Sequence, residues 1–288
     1  NKGGSIVYSG VAPLDRLEIS TRAPLSLPVI RWLGDVGFTT VLATVRDDRH
    51  RDDPFFWAMR GTLEPHARFR LSVNRAALFG GDDQRMRLDN LGMMLLGRVQ
   101  GKGFEDQVVS LEGWFRLPSE PVIPLTLGLE WGAEDAAGAW ANVPGVVVSL
   151  RTPSIPGAEY ISAAFEYATF GTSCCRNPEW YRHWSFPGSW ALGERPMGHP
   201  LGGDGSELLL TSTAHLKNAT LRLLGDVFVR RRGEENLYVP GREGRSYGMR
   251  SEAQWRLRSG LDLNAELRRE SGNGWSDESV TLEGKFFF

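Results

Sequence analysis

Apolar and polar residues alternate along much of this chain, and that alternation constrains the fold more than any other feature. It is plain in residues 279–288, where Val280, Leu282, Phe286 and Phe288 occupy even positions and mostly polar residues occupy the odd ones. Successive side chains of a β-strand point to opposite faces, so the segment predicts a strand with one apolar face. Alone, it fits either an edge strand of a soluble sandwich or a strand of a membrane barrel, whose outer band is apolar.

Composition excludes two classes of protein. The chain has 288 residues, of which 41% are hydrophobic and 24% are charged, and no run approaches the ~20 apolar residues of a membrane helix. A membrane barrel stays possible because half of each barrel strand is polar. The formal net charge is -2, which provides no overall positive field, so we predict no nucleic-acid partner.

The same alternation marks about 14 candidate strands, most of them close to the ~9–11 residues that cross an outer membrane when tilted. The stronger ones are 14–22, 54–64, 67–74, 106–117, 124–134, 146–150, 161–167, 221–230, 245–258, 260–270 and 279–288. The weaker ones are 5–9, 36–46 and 206–217. The pattern therefore predicts an all-β chain.

The links between these strands differ in length in a regular way. Counting back from the C-terminus, alternate links are short, at 259, 218, 153–158, 118–121 and 65–66. The links between them are longer and polar, at 271–277, 231–245, 171–205, 135–143, 80–105 and 47–53. This layout is typical of an outer-membrane barrel. We predict a single antiparallel transmembrane outer-membrane β-barrel domain over residues 1–288, with extracellular long loops and a periplasmic C-terminus.

The two faces of the predicted strands differ in chemistry. Three leucines are predicted to face lipid and three polar neighbours to face inward: Leu127, Leu223 and Leu263, and Thr126, Arg222 and Asn264, respectively. The inward face carries charges of both signs, as the lumen of such a barrel does. It also carries Phe56, Trp114 and Phe170, which predict a partly filled interior rather than an open pore.

The longest predicted loop, 171–205, is too long for a plain connection, and such loops are usually functional or disordered. Its density of aromatic residues predicts an ordered loop, because disordered segments are poor in them. Aromatic faces also stack on sugar rings. We therefore select four residues as predicted carbohydrate contacts: Trp180, Tyr181, Trp184 and Trp190.

The end of this loop is rich in glycine but matches no catalytic pattern. A phosphate-binding loop would read G-x-x-x-x-G-K-[ST] and precede a helix, and neither holds here. A hydrolase would use His183 or His199 with Asp204 or Glu194, yet no serine or cysteine is placed as a convincing partner. We predict a structural role and no enzyme activity for the motif residues Arg195, Gly198, His199, Gly202, Gly203 and Asp204.

The two cysteines, Cys174 and Cys175, are adjacent in the sequence. Ordinary disulfide geometry does not fit neighbouring residues, so they predict no structural bridge. A metal site would need further ligands at suitable spacing. We therefore predict neither a metal nor a cofactor.

Several short elements, taken in order, give the chain a family resemblance. They are Arg195 to Gly205 (R-P-M-G-H-P-L-G-G-D-G), Arg31 to Gly34 (R-W-L-G), Asp47 to His50, Asn74-Arg75, Phe79 to Asp82 and Leu95 to Arg98. In this order and spacing the chain resembles the capsule assembly protein Wzi family, over nearly its whole length. No motif of that family assigns sugar-contacting residues.

The resemblance implies an outer-membrane barrel of about eighteen strands, within the size range of such barrels. It also implies a lectin-like, non-enzymatic protein, largely closed by extracellular loops, that holds capsular or other surface polysaccharide on the cell. The chain is shorter than that barrel, shows no N-terminal helical segment and begins at Asn1 without Met or a signal peptide, so we expect N-terminal strands to be missing from it. The alternative function is a diffusion channel, which the mixed charges of the lumen favour.

Three partners follow from this interpretation. They are surface polysaccharide, outer-membrane lipid and the barrel-assembly machinery. The last is predicted to bind the strand Val280 to Phe288, because a final strand that ends in Phe resembles the C-terminal signal of bacterial outer-membrane barrels.

Charge pairing predicts the register of the hairpin formed by 245–258 and 260–270. Directly opposed unlike charges stabilise a sheet and like charges destabilise it. Pairing Arg258 with Asp262, Glu252 with Arg268 and Arg250 with Glu270 satisfies this rule. The result is a three-residue turn from Ser259 to Leu261, in which Gly260 accommodates a positive φ.

Overall fold

A computed structural model describes most of the chain. The described residues are 5–8, 14–23, 25, 34–47, 53–81, 87–95, 104–119, 122–134, 144–171, 180–183, 185–193, 195–216, 220–257 and 260–286. Several residues named above lie outside this set: Asn1, Arg31, His50, Asp82, Arg98, Cys174, Cys175, Trp184, Glu194, Arg258, Ser259 and Phe288.

Antiparallel β-strands dominate the structure. In chain order the elements are β1 (Arg16–Ser20), β2 (Asp35–Thr44), β3 (Phe55–His66), β4 (Phe69–Phe79), α1 (Leu88–Leu95), β5 (Glu105–Arg116), β6 (Thr126–Glu134), β7 (Gly145–Thr152), β8 (Ile161–Phe170), β9 (Ala191–Leu192), β10 (Arg195–Pro196), β11 (Gly205–Leu216), β12 (Leu221–Arg232), β13 (Gly244–Leu257), β14 (Leu261–Gly272) and β15 (Trp275–Phe286). Thirteen of the described strands form one sheet in chain order from β1 to β15, and β9 pairs with β10. No described helix is long and apolar enough to cross a membrane.

The all-β prediction is confirmed, although one of the predicted strands is not a strand in the structure. Thirteen of the 14 candidates correspond to strands of the sheet among the described residues. The exception is 5–9, of which Ser5 to Tyr8 are described and form no strand. The adjacent residues Ile6 and Val7 are both buried, because this segment lies inside the curled sheet and the Ile6 amide donates to Glu130 at 3.2 Å.

Alternation separates an outer face from an inner one as predicted. The predicted lipid-facing residues Leu127, Leu223 and Leu263 are 42%, 39% and 40% exposed. Inner-face charges are buried instead, and Glu112 accepts from Arg60 at 2.6 Å and from the Trp114 indole at 2.7 Å. The apolar face thus points away from the enclosed space, as in a membrane barrel.

The interior is filled by aromatic side chains at the end of the sheet where the long loops lie. One buried core joins inner-face residues of strands far apart in the sheet, which shows how strongly the sheet curls. Phe56 of β3 and Phe170 of β8 both belong to this core. The predicted partly filled interior is therefore confirmed.

Most connections have the predicted lengths, but one long link is a tight turn. The link at 271–277 contains only Asn273 and Gly274, since Gly272 pairs with Trp275. Gly274 has φ +82°, a backbone conformation that glycine adopts at no steric cost. Asn-Gly is a strong two-residue hairpin signal, and it outweighs the polarity that suggested a loop.

The predicted register of the hairpin formed by β13 and β14 is wrong by two residues. Glu252 pairs with Glu266 and Arg250 with Arg268. The last described pair before the turn is Leu257 with Leu261, whereas the prediction placed Leu261 in the turn. The charges find partners on the preceding strand instead. Arg250 binds Asp226 of β12 at 2.5 Å, and Glu270 of β14 binds Arg232 at 2.8 Å. Inner-face side chains can reach charges on other strands, including one beyond the adjacent strand, so pairing across one hairpin does not determine the register.

Candidate functional site

Tyr181 joins the long loop to the interior of the sheet. Its hydroxyl donates to the Ile6 carbonyl at 2.6 Å and accepts from the His199 amide at 3.0 Å. Its own amide donates to both carboxylate oxygens of Glu134, at 2.7 and 2.8 Å. Burial raises the pKa of the Tyr181 phenol well above its ordinary value, so the hydroxyl stays protonated and remains a donor.

Two tryptophans complete an interior plug, a name we use for the described residues 180–183, 185–193 and 195–204, many of which are buried inside the sheet. The Trp190 indole donates to Asp106 at 2.5 Å, and its ring meets Phe56 edge-on at 5.6 Å between centroids. Trp180 meets Phe170 edge-on at 5.0 Å. Pairs in this geometry add to the stabilisation that burial already supplies.

Three of the four predicted carbohydrate contacts therefore lie inside the plug. Trp180, Tyr181 and Trp190 are 1%, 0% and 0% exposed, so no ring face is open to a sugar in this conformation. Trp184, the fourth predicted contact, lies outside the described residues. The aromatic signal correctly indicated an ordered loop, but the side chains pack against protein.

The glycine motif shapes the turn that closes the plug. Gly202 and Gly203 have φ +84° and +89°, which side chains rarely adopt. A Cβ at Gly198 would lie 2.5 Å from the Tyr181 ring, so only glycine fits there. Asn236 bonds the carbonyls of Leu201, Gly203 and Asp204, which ties the motif to the loop 233–243.

The remaining motif residues have different surroundings. The Asp204 carboxylate is buried and accepts from the Glu235 amide at 3.1 Å. Arg195 is exposed and pairs with Leu192 in the short β9–β10 ladder. His199 is fully buried, its Nδ1 accepts from the Leu201 amide at 3.2 Å, and its Nε2 lies 3.7 Å from Glu166.

The two histidines of the hydrolase hypothesis both accept hydrogen bonds from nearby backbone amides. The His183 Nδ1 accepts from the Ser185 amide at 3.2 Å and the ring packs on Phe186. Each histidine ring is thus engaged by backbone two residues further along the chain. Within the described part of the chain, no group of three or more His, Cys, Asp and Glu side chains is placed to hold a metal ion.

A cleft opens where the plug meets the loop 233–243. Its volume is about 510 Å³, and it is lined by Arg182, Pro187, Gly188, Ser189, Ala191, Pro196, Leu237, Tyr238, Pro240, Gly241 and Arg242. We call it the mouth cleft, since both contributing segments are long loops at the same end of the sheet. Sequence reasoning missed Arg182, Tyr238 and Arg242, because their two loops are far apart in the chain.

Two guanidinium groups flank the aromatic ring of the mouth cleft. The Arg182 side chain donates to the carbonyls of Asn236 at 2.6 Å and Val239 at 3.2 Å. The Arg242 guanidinium lies 5.3 Å from the centre of the Tyr238 ring and 3.2 Å from Asp277. Both arginine side chains remain partly exposed, at 28% and 22%, so they can bind a ligand as well.

A buried network of ion pairs lies against Tyr238, one of the residues that line the mouth cleft. The Arg232 guanidinium lies 4.9 Å from the centre of the Tyr238 ring and binds Glu270 at 2.8 Å. Glu270 also binds Arg230 at 3.0 Å. Burial raises the pKa of Tyr238, with the surrounding arginines opposing the shift, so its phenol stays neutral. The ring is therefore a fixed, uncharged surface between cations.

Comparison with known proteins decides the family. The family model of the capsule assembly protein Wzi matches residues 2–275. The chain belongs to the Wzi family. A search of proteins with curated descriptions found no significant match.

Solved structures support the same fold. The Escherichia coli Wzi structure, described as a carbohydrate-binding β-barrel involved in group 1 capsule assembly, matches with 15% identity and a TM-score of 0.73, covering 98% of this chain. The chain spans 63% of the length of that protein. Two Pseudomonas aeruginosa structures are more distant: OccK5 (12% identity, 95% of this chain, 71% of that chain, TM-score 0.52) and the outer-membrane protein OprD (9%, 98%, 73%, 0.51). The Wzi family member described here therefore has the antiparallel fold of an outer-membrane β-barrel.

Proposed function

We propose that this Wzi family member binds or anchors capsular or other surface polysaccharide at the cell surface, as a lectin-like protein without enzyme activity. The mouth cleft is the observation that carries the proposal. Its long loops would be extracellular and its short turns and C-terminus periplasmic. Lipid would surround the strands, and the last strand would contact the barrel-assembly machinery.

The chemistry of the mouth cleft suits a sugar polymer. Guanidinium groups form strong charge-assisted hydrogen bonds to carboxylates and bind hydroxyl oxygens in the same fork geometry. The neutral Tyr238 ring offers an aromatic surface beside Arg242. The volume of about 510 Å³ lies within the ~300–1,000 Å³ range of small-ligand sites. A short stretch of an extended polymer would fit without entering the plugged interior.

Binding to purified polysaccharide tests this assignment. The purified barrel, in detergent, is titrated with the labelled surface polysaccharide of the bacterium that makes it. We expect Arg242→Ala to weaken binding by about 10-fold or more, since a hydrogen bond from a charged group contributes ~1.5–3 kcal/mol. Arg245→Ala is the matched control, because Arg245 is exposed on β13 and does not line the cleft. Equal affinity of the two variants contradicts the site.

A diffusion channel is the second candidate. The mixed charges of the inner face favour it, since a wet lumen lined by both signs suits the passage of solutes. Against it stand the buried aromatic residues of the plug, including Trp190, which fill the interior at the long-loop end. Steady conductance of the unmodified protein in planar bilayers would support a channel, and a closed signal would exclude it.

The absence of enzyme activity is tested separately. The histidine variants His183→Ala and His199→Ala are compared with the unmodified protein for release of oligosaccharides from the polysaccharide. We expect no release by any of the three proteins. Release that both substitutions abolish would establish a hydrolase instead.

A further inference from the structure

Helix α1 lies on the outside of the barrel, within a link that the sequence predicted only as a polar loop. Its Met94 packs with Ala77, Phe79 and Phe104, and Phe55 and Trp57 pack around them. Ala77 and Phe79 occupy the outer face of β4, because the alternate residue Leu78 belongs to the interior core. The helix therefore covers the lipid-facing wall at the long-loop end.

Exposure along the outer wall shows the extent of this cover. Leu71, Val73 and Leu111 on β4 and β5 are 41–47% exposed, as expected of lipid-facing positions. Nearer the long loops, on the same face, Ala77 is 0% and Gln107 only 7% exposed. The boundary between bare and covered wall thus lies within the strands, so α1 extends the apolar band of the barrel instead of standing above it.

Arg75 fixes the helix to the wall. This outward-facing arginine donates to the carbonyl of Leu95 at 2.9 Å and also bonds the carbonyl of Met94. These carbonyls belong to the last turn of α1, and the carbonyls of a last turn receive no hydrogen bond from within their own helix. The Arg75 Nε also donates to the Gln107 side chain at 3.1 Å. Arg75 thus supplies donors to the helix end, and the helix end supplies acceptors to the Arg75 guanidinium. This matters on a lipid-facing surface, where a charged side chain without partners would cost free energy.

The apolar side of the helix extends beyond its contact with the barrel wall, and two of its leucines are exposed. Leu88 is 88% exposed and Leu95 is 54% exposed. They are seven residues apart, two helical turns, so they lie along one side of the helix, next to Leu91 and Met94, which pack against the wall. The helix that carries them packs on the outer wall, whose other exposed apolar residues form a surface suited to lipid.

We propose that α1 is a membrane-interface helix whose Leu88–Leu95 face binds the acyl chains of the lipid leaflet at the long-loop end. A helix with one apolar face lies in the plane of the interface with that face among the acyl chains. Burial of the two leucines among acyl chains removes their apolar area from water, which favours this position of the helix. The helix would thereby set the depth of the barrel in the leaflet.

Photolabelling of the unmodified chain tests the proposal. The protein is reconstituted in phosphatidylcholine vesicles that carry a diazirine on an acyl chain, irradiated and digested with trypsin. Cleavage after Arg87 and Arg98 releases 88–98, and cleavage after Lys102 and Arg116 releases 103–116, which contains lipid-facing Leu111. The loop peptide 233–242 is the water-exposed control.

The expected result is labelling of 88–98 comparable to that of 103–116 and roughly tenfold above that of 233–242, because only segments among the acyl chains meet the probe. Fragment ions should place the label between Leu88 and Leu95. Labelling of 103–116 without 88–98 overturns the proposal, since the helix then faces water or another protein. Absence of label from both peptides overturns it too, because the barrel wall itself is then outside the bilayer.

Discussion

Tyr181 and Ile6 lie 175 residues apart in the chain, yet the Tyr181 hydroxyl donates to the Ile6 carbonyl at 2.6 Å. Both residues are fully buried, so this bond joins the N-terminal segment to the long loop inside the sheet. The same oxygen accepts from the His199 amide. One phenol thus links the two segments that meet inside the barrel.

Tyr181→Phe should therefore destabilise the plug. The substitution keeps the ring but leaves the Ile6 carbonyl and the His199 amide without this partner, at a cost of about 1–3 kcal/mol. Urea unfolding followed by tryptophan fluorescence measures the loss. Tyr160→Phe is the control, because Tyr160 is 51% exposed and should be neutral. Equal unfolding midpoints for the two variants would contradict the bridging role.

Trp190→Ala should open the interior as well as weaken the plug. Loss of a fully buried tryptophan leaves a cavity, and such truncations cost about 3–5 kcal/mol. If the plug blocks passage, conductance in planar bilayers should rise above that of the unmodified protein. Trp255→Ala, at a 45% exposed outer position, should leave conductance unchanged. A variant at Trp190 that stays closed would show that other residues seal the barrel.

Charges on the two faces should have opposite consequences. Arginine at Leu127, Leu223 or Leu263 would place a charge in lipid, which costs about 2–4 kcal/mol at the bilayer midplane. Thr126→Arg and Asn264→Arg would place it on the inner face. Heat-modifiable mobility in gels reports assembly of each variant. We expect assembly to fail far more often in the first set, and equal tolerance of both sets would refute the face assignment.

The ion pair between Asp226 and Arg250 should contribute more than the pair between Asp262 and Arg256. Asp226 is buried and lies 2.5 Å from Arg250, whereas the Arg256 side chain is 75% exposed at 3.3 Å. Asp226→Asn should reduce the free energy of unfolding by about 1–3 kcal/mol. Asp262→Asn should cost under about 1 kcal/mol, as exposed pairs do. Urea unfolding of both variants compares them, and the reverse order would contradict the observed pairing.

The long-loop end should face the outside of the cell. Ser189 lines the mouth cleft, so a cysteine there should react with a membrane-impermeant thiol reagent on whole cells. The background carries Cys174→Ser and Cys175→Ser. A cysteine at Ala158, in a short link, is the control that should react only after the outer membrane is broken. The opposite pattern would invert the proposed orientation.

Much of the fold follows from sequence alone, for a local reason. Alternation such as that of Leu127 and Thr126 is a property of neighbouring residues, and a strand obeys it wherever it lies. The pattern therefore predicted the strands, their two faces and the side on which the long loops gather. The family resemblance rested on short motifs of the same local kind, and the family match confirms it.

Tertiary structure decided what depends on residues far apart. The aromatic residues Trp180, Tyr181 and Trp190 predicted an ordered loop, but only the curled sheet shows that their faces are buried. The sequence predicted a structural role for Gly198, Gly202 and Gly203. It did not indicate that the Tyr181 ring lies so close to Gly198 that a side chain there would clash with it. The hairpin register failed for the same reason, since Arg250 found Asp226 on the strand that the pairing rule had left out.

The mouth cleft and α1 lay beyond sequence reasoning altogether. Arg182 and Tyr238 belong to different loops, and nothing in either loop indicates the other. Helix α1 has eight residues, too few for periodicity to separate it from a polar loop, and its stability comes from Arg75 and the barrel wall. Sequence determined the strands and their faces because those depend on adjacent residues. Packing decided the plug, the cleft and the helix because those depend on which distant surfaces the folded chain brings into contact.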